Sequence, residues 1–228
     1  MLKNLFLLAA TLLKLFPTGW FAVKDIHCKS QYGPCDGQDI NYAQGFMGQN
    51  IFFVSTKRVE EELEQNFKNE RTYVIKVLPN TLDIVVEKRK TTFGLSRQSA
   101  NARGVFLVSK AGTILSFETD SALPVLTLGQ DYETPVVGKT IGETVKGAGR
   151  ILDLVRHVQT IKKSKLDKTD LWVTISQGST NVDAIFNVEN DPQVQVGALQ
   201  LILEKAKMDN KIPGVIDLRF KNPVLKYD

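Results

Sequence analysis

The chain has 228 residues, of which 43% are hydrophobic and 24% charged, and its formal net charge is +4. These values are ordinary for a folded protein with one large or two small domains, and they exclude extensive disorder. The charge is too small to indicate nucleic-acid binding, which usually requires Lys and Arg clustered on one face. The basic runs at 88–90 and 162–165 are short and typical of solvated surface.

The N-terminus predicts a membrane anchor. Residues 2–23 are strongly apolar and about long enough to cross a bilayer core of about 30 Å. Lys14 interrupts the run, and a cation at the bilayer centre costs about 2.5–3.5 kcal/mol, so we expect the outer end of the helix within 13–20. We therefore predict a retained anchor over 1–20, with lipid as its partner. A cleaved signal peptide is the alternative.

The two cysteines of the chain, Cys28 and Cys35, flank a Gly33-Pro34 pair that suits a turn. A disulfide between them is feasible and would contribute about 2–3 kcal/mol in an oxidising compartment. Two free thiols are the alternative. A zinc site is disfavoured because His27 is the one histidine nearby and a second ligand pair is missing. Anchor and disulfide together predict a single-pass protein of the cell membrane whose bulk is extracytoplasmic.

Residues 21–91 read as a small α+β domain. A strand is predicted at 21–28, helices at 38–47 and 55–67, and a hairpin at 73–90. The second helix has a capping Ser55 or Thr56. In the hairpin, Leu82, Ile84 and Val86 alternate with more polar residues, so one face of that strand should lie on a core. The order is strand, helix, helix, strand, strand.

The remaining chain reads as a linker followed by a mixed β domain. The composition turns polar and basic after residue 91, so a linker or loop is predicted at 92–103. In the domain at 104–228 we predict strands or extended runs at 104–117, 123–126, 171–176, 182–188, 215–220 and 223–227, with two helices at 140–163 and 197–208. The predicted fold class is α+β, with an N-terminal membrane helix, a small domain and a mixed β domain.

Four segments carry a resemblance to a known family: 21–26, the glycine-led 48–52, the hairpin 78–89 and the Asp-Leu-Arg strand at 216–220. Their order resembles that of FtsQ/DivIB, a family of bacterial cell division proteins with a single membrane helix and an FtsQ-type POTRA domain. The match spans nearly the whole chain. The chain departs from the family where Lys90-Thr91-Thr92 replaces the usual proline, and where the Cys28–Cys35 segment replaces a plain loop.

The resemblance implies a bitopic divisome scaffold without enzyme activity. Such a protein would bind FtsB-like and FtsL-like partners, and other divisome membrane proteins, outside the membrane and couple them to septal cell-wall synthesis. The expected means is strand addition at the C-terminal edge of the sheet. The residues predicted to contact the partner are Val215, Asp217, Arg219, Phe220, Pro223, Val224 and Tyr227.

Within that set, Arg219 would pair with a partner carboxylate, and Phe220 and Tyr227 would supply apolar anchors. Plain core packing is the alternative for Ile216, Leu218, Phe220 and Val224, and we expect it to hold for at least two of them. A second, weaker contact surface would carry Arg58 and Arg89. The alternative function is a POTRA-type module for polypeptide transport or assembly, which normally occurs as tandem copies before a barrel.

Catalytic, cofactor and metal sites are not predicted. His157 has Asp153 at i−4, a surface contact, and Ser176 and Ser179 lack the strand-elbow-helix context of a nucleophile. The Gly138-Lys139-Thr140 run lacks the first glycine of a phosphate loop and reads as the start of a helix. Asp83 and Glu87 share a strand face but would lie about 13 Å apart, too far for a pair of glycosidase carboxylates.

Overall fold

The computed structural model describes residues 19–97, 104–129, 131–178 and 180–227. The chain divides into two compact units, Met1–Arg89 (unit 1) and Lys90–Asp228 (unit 2). Each unit has its own sheet and its own apolar core, so the predicted α+β class is confirmed. The predicted anchor at 1–20 lies outside the described residues except for Gly19 and Trp20. No helix within the described ranges has the length and apolar character needed to cross a bilayer.

Unit 1 is a four-stranded sheet with two helices. Its elements are β1 Asp25–Ser30, β2 Gly33–Pro34, α1 Gly37–Gln44, α2 Thr56–Glu64, β3 Asn69–Val77 and β4 Thr81–Lys88. The strand order is β2-β1-β4-β3, with β1 parallel to β4 and the other pairs antiparallel. The predicted hairpin and both helices are present. As expected, Leu82, Ile84 and Val86 of β4 are buried in the core of this unit.

Local signals set the helix starts in unit 1. The carboxylate of Asp36 accepts the Asp39 N–H at 3.0 Å and caps α1, while the Ser55 hydroxyl accepts the Arg58 N–H at 3.4 Å and caps α2. The predicted second helix, 55–67, is too long, since α2 ends at Glu64. The first strand was predicted to start at residue 21, but β1 starts at Asp25. Residues 21–23 instead hydrogen-bond to the loop at 48–51.

Unit 2 is a nine-stranded sheet with two helices. Its elements are β5 Thr91–Arg97, β6 Val105–Ser109, β7 Ile114–Glu118, β8 Val125–Leu128, α3 Glu143–Val158, β9 Thr160–Asp167, β10 Asp170–Gln177, β11 Thr180–Asn187, α4 Pro192–Met208, β12 Val215–Asp217 and β13 Val224–Lys226. The strand order is β13-β12-β11-β10-β9-β8-β5-β6-β7.

Two predictions for unit 2 are wrong. Residues 92–97 are no linker but part of β5, which lies between β6 and β8 and buries Phe93 and Leu95; residues 98–103 lie outside the described residues. The helix predicted to run to residue 163 ends at Val158, and β9 follows. Pairing of β9 with β8 and β10 buries Ser164 and Leu166 and leaves Lys162, Lys163 and Lys165 exposed.

Helix α3 lies close to the sheet because it carries glycine at the contact. A Cβ on Gly149 would lie 2.2 Å from Cε1 of Phe93, so only glycine permits this approach to β5. Farther along α3, Ile151, Leu152 and Val155 are fully buried in the same apolar cluster as Leu199 of α4. One cluster therefore joins both helices to the sheet of unit 2.

Candidate functional site

Strand β13 ends the nine-stranded sheet and has an open edge. It pairs with β12 alone among the described strands. The carbonyl of Lys226 accepts the Gly214 N–H at 2.9 Å, so the backbone groups of Lys226 face β12. Because these groups alternate in direction along a strand, the N–H and C=O of Leu225 point away from the sheet. A partner strand could pair with them.

The outer edge of β3, at one end of the unit 1 sheet, is instead covered by the chain itself. The Thr72 N–H donates to Oε1 of Glu64 at 2.8 Å, and the Val74 N–H donates to Oε1 of Glu60 at 2.9 Å. Glu60 and Glu64 lie one turn apart on α2. They occupy two of the donors that an added strand would need, which is one way proteins protect an edge strand.

The other two sheet ends are covered in part or very short. In unit 2, Ile114 of β7 donates to the carbonyl of Lys139 at 2.9 Å and accepts from the Gly138 N–H at 2.8 Å. In unit 1, β2 has two residues, and the Cys28–Cys35 disulfide, with its Cα atoms 5.5 Å apart, ties the adjoining chain to β1. In the part of the chain that the structure describes, β13 is the end strand that lacks such cover.

The predicted contact residues fall into two groups around β13. Phe220, Val224 and Tyr227 are exposed and Pro223 is half-buried, so these four lie at the surface. Nζ of Lys211 lies 4.5 Å from the centre of the Tyr227 ring, within the range of a cation–π contact. The remaining three, Val215, Asp217 and Arg219, are half-buried or buried. The expectation of plain core packing is confirmed for Ile216 and Leu218.

Arg219 is held within the chain. Its Nη1 donates to Asp170 at 2.6 Å, its Nη2 donates to Asp217 at 2.6 Å, and its Nε donates to the other oxygen of Asp217 at 2.9 Å. The hydrogen bond from Arg219 lowers the pKa of Asp217 against the opposing effect of burial, and the same contacts raise the pKa of Arg219. A partner carboxylate would have to compete with both aspartates, so the geometry indicates that Arg219 braces β12 against β10.

Comparison with known proteins identifies a relative. No protein-family model matches the chain. The cell division protein DivIB of Clostridium acetobutylicum is 25% identical to it over 186 residues, which are 78% of this chain and 71% of that protein. The match supports membership in the FtsQ/DivIB family. The family resemblance found in the four sequence segments is thereby confirmed.

The second predicted contact surface lies on unit 1. Arg58 is exposed on α2, where its Nε lies 3.8 Å from Glu62. Arg89 follows β4 and donates from Nε to the carbonyl of Asn69 at 3.1 Å. The two side chains are thus tied to different elements, α2 and the start of β3.

Sequence reasoning missed a partly buried polar cluster in unit 1. Nζ of Lys88 donates to Asp36 at 2.8 Å, to Asp39 at 2.5 Å and to Asn69 at 2.7 Å. The amide of Asn66 donates to Asp39 at 2.9 Å. Burial raises the pKa of Asp36, but the hydrogen bonds from Lys88 and the Asp39 N–H outweigh it and lower the pKa overall. The cluster joins β4 to both helices. The sequence offered one sign of this cluster, which is that Lys88 lies at the end of a strand with a buried face.

The histidines and serines considered for chemistry make ordinary contacts. Nδ1 of His27 lies 3.0 Å from Oδ1 of Asp83 on the exposed face of the unit 1 sheet. His157 contacts the backbone carbonyl of Asp153, whose carboxylate pairs with Arg156. His157 and Ser176 line one open groove of about 630 Å³, yet no hydrogen bond joins these two described residues; Ser179 lies outside the described residues.

The remaining candidates are placed as follows. Gly138-Lys139-Thr140 precedes α3, which begins at Glu143, so these residues lie outside the helix that they were expected to start. Glu87 stands opposite Arg71 of β3. Among the described residues, no three His, Cys, Asp or Glu side chains come together as a metal site would require.

Proposed function

We propose that the chain is a divisome scaffold protein that binds FtsB-like and FtsL-like partners by strand addition at β13 and couples them to septal cell-wall synthesis. Similarity to a cell division protein supports the cellular role. The observation that carries the binding mode is the open edge of β13, where the backbone groups of Leu225 face away from the sheet. Partner backbone would supply the hydrogen bonds, and Phe220, Val224 and Tyr227 would supply apolar contacts.

In this proposal unit 1 is an FtsQ-type POTRA domain and the chain is a single-pass protein of the cell membrane. The apolar run at 2–23 supports an anchor. The Cys28–Cys35 disulfide supports an extracytoplasmic position for unit 1, because such bonds persist in oxidising compartments. We expect the chain to stay in membranes during alkaline extraction. We also expect protease added to spheroplasts to digest the bulk of the chain. Release at alkaline pH would contradict the anchor.

The partner site is tested with two substitutions at one position. Leu225→Pro removes the outward N–H donor of β13, whereas Leu225→Ala shortens the side chain and keeps the donor. The tagged full-length chain is expressed with FtsB-like and FtsL-like proteins, solubilised and captured. We expect Leu225→Pro to reduce capture by about tenfold or more, as loss of a backbone hydrogen bond and of a fitting strand would, and Leu225→Ala to reduce it much less.

Equal capture by the Pro and Ala variants would rule out strand addition at β13. Circular dichroism of the purified variants shows whether the sheet is retained. A substitution is more informative here than deletion of residues 222–228, because the deletion would make β12 a new end strand that could pair in place of β13.

A further inference from the structure

Exposed apolar side chains cluster at one pole of unit 1. Phe53 is 87% exposed, and four other large apolar residues near it in the fold are about half exposed: Trp20, Met47, Phe52 and Leu78. Isolated apolar residues on a surface are normal, but a contiguous group of large ones marks an interaction site.

Backbone hydrogen bonds bring these residues to the same end of the sheet. The Ile51 N–H donates to the carbonyl of Phe21 at 2.8 Å, and the Val23 N–H donates to that of Gln49 at 2.8 Å, so the loop at 48–51 pairs with the chain at 21–23. The Lys24 N–H donates to the carbonyl of Asn80 at 2.8 Å, which places the β3–β4 turn beside them. We call the residues 19–24, 46–54 and 78–80 the aromatic pole.

The two phenylalanines are held outward by a fixed backbone. Ile51 and Val54, on either side of them, are buried in the core of unit 1. The side-chain and main-chain oxygens of Asn50 accept the N–H groups of Phe52 at 3.0 Å and Phe53 at 2.9 Å. The Phe52 ring also packs on that of Phe21, with ring centres 5.0 Å apart. Their exposure is therefore a property of the folded loop.

The chain reaches this pole directly from its apolar N-terminal run. The anchor is predicted over residues 1–20, so Trp20 is its last residue and Phe21 follows at once. The aromatic pole must then lie close to the bilayer surface. Lys24 is exposed there, and Nζ of Lys76 reaches the carbonyl of Phe52 at 3.4 Å. Aromatic rings with nearby lysines are the composition that proteins use at the headgroup level of a membrane.

We propose that the aromatic pole of unit 1 inserts into the headgroup region of the membrane, with Phe52 and Phe53 as the inserted side chains. The inference rests on the proposed membrane anchor. It gives unit 1 a second attachment to the bilayer besides the anchor, and thereby fixes the orientation of unit 1 relative to the membrane surface.

The test uses a fluorescent probe on the full-length chain in vesicles of phosphatidylethanolamine and phosphatidylglycerol. Both native cysteines are in the disulfide, so Phe53→Cys provides a single thiol for an environment-sensitive nitrobenzoxadiazole label. Tyr32→Cys is the matched control, because Tyr32 is an aromatic residue, 68% exposed, at the far end of β1, about 20 Å away at the usual rise per residue. Each protein is compared in normal lipid and in lipid with brominated acyl chains.

We expect bromination to remove about half of the emission at position 53, as for a side chain inserted about 5–10 Å into the interface, and to leave position 32 unchanged. An unquenched probe at position 53 in protein that resists alkaline extraction would overturn the inference and leave the anchor standing. Blue-shifted emission without bromine quenching would mean that protein covers the pole, and would also overturn it. Failure of the chain to stay in the vesicles would overturn the proposed anchor together with this inference.

Discussion

The two units protect their sheets in different ways. Unit 1 uses polar and covalent contacts at its edges. Glu60 and Glu64 bind two N–H groups of β3, and the Cys28–Cys35 bond fixes β2 against β1. At the end of β4, Lys88 binds the buried Asp39 and the partly exposed Asp36. Unit 2 relies on one large apolar cluster. It covers the start of β7 with backbone, and β13 is left open among its described residues.

The edges of β3 and β13 consist of the same backbone groups, but their cover suits them to different roles. An uncovered edge invites pairing with any other strand, and proteins usually block it. The chain blocks β3 with two carboxylates from α2, so the edge of unit 1 is suited to staying unpaired. The edge of β13 lacks such a cover, which suits it to a specific partner.

The largest effect is expected from Lys88→Met in unit 1. Asp39 is 1% exposed and would keep a buried charge without its cation, which typically costs about 3–5 kcal/mol. Hydrogen-exchange mass spectrometry of peptides from β3 and β4 should show a matching loss of protection. Lys57→Met, which breaks an exposed pair with Glu61, is the control and should change stability by less than about 1 kcal/mol. Equal effects of the two variants would show that the cluster does not hold unit 1 together.

The double variant Glu60→Ala/Glu64→Ala should open the edge of β3. Loss of two hydrogen bonds to carboxylates should lower the free energy of unfolding of unit 1 by about 2–3 kcal/mol. It should also produce self-association through the freed N–H groups, detectable by sedimentation velocity.

Glu60→Gln/Glu64→Gln keeps an acceptor oxygen at each position and is the matched control for that double variant. It should stay closer to the parent in both stability and association. If the alanine variant stays monomeric like the parent, the glutamates do not protect the edge of β3, and the contrast with the open edge of β13 does not hold.

Gly149→Ala tests the close approach of α3 to the sheet in unit 2. The added methyl would clash with the Phe93 ring, and overpacking of this kind costs about 1–3 kcal/mol. Gly197→Ala in α4 is the matched control, since nothing lies within 4 Å of its Cβ position and alanine should gain up to about 1 kcal/mol there. Opposite shifts of the thermal midpoint are expected, and a stabilised Gly149→Ala protein would contradict the packing described for α3.

The smallest effect concerns acid. The pKa of Asp217 is lowered below its ordinary value of 3.8, mainly by Arg219. A lowered native pKa gives a stabilising contribution that is present above the unfolded pKa and is lost as the pH falls through the native pKa. Between pH 5 and pH 3, unit 2 of Asp217→Asn should therefore lose less stability than unit 2 of the parent. The difference should be less than about 1 kcal/mol, because the Arg219 side chain is 31% exposed and water screens the pair. Identical pH profiles from thermal melts of the two proteins would exclude this contribution.

Much of the local structure was predictable from residue patterns. The alternation of Leu82, Ile84 and Val86 indicated a strand on a core, and the capping Ser55 indicated the start of α2. Segments without a strong pattern were misassigned. Strand β5 contains Thr, Gly and Ser, and β9 contains four polar residues in a row at 162–165. Both are strands because neighbours on each side satisfy their backbone groups.

The candidate site was predictable only in part. Phe220, Val224 and Tyr227 lie at the surface beside the end strand, as expected of contact residues. The sequence could not show that Arg219 binds Asp170, which lies 49 residues away. It also could not show the cluster around Lys88, whose members come from four separate elements or their flanking turns.

The sequence alone determined the class of fold, the family resemblance and the residues that face each core, because periodicity and caps act over a few neighbouring residues. The tertiary structure decided which strands end each sheet and which of those ends are covered. That outcome depends on pairings between distant segments, such as Ala184 with Ile216 in the parallel β11–β12 pair and Glu60 of α2 with Val74 of β3. An open edge is a property of the assembled sheet, since it is defined by what every other strand has already paired with.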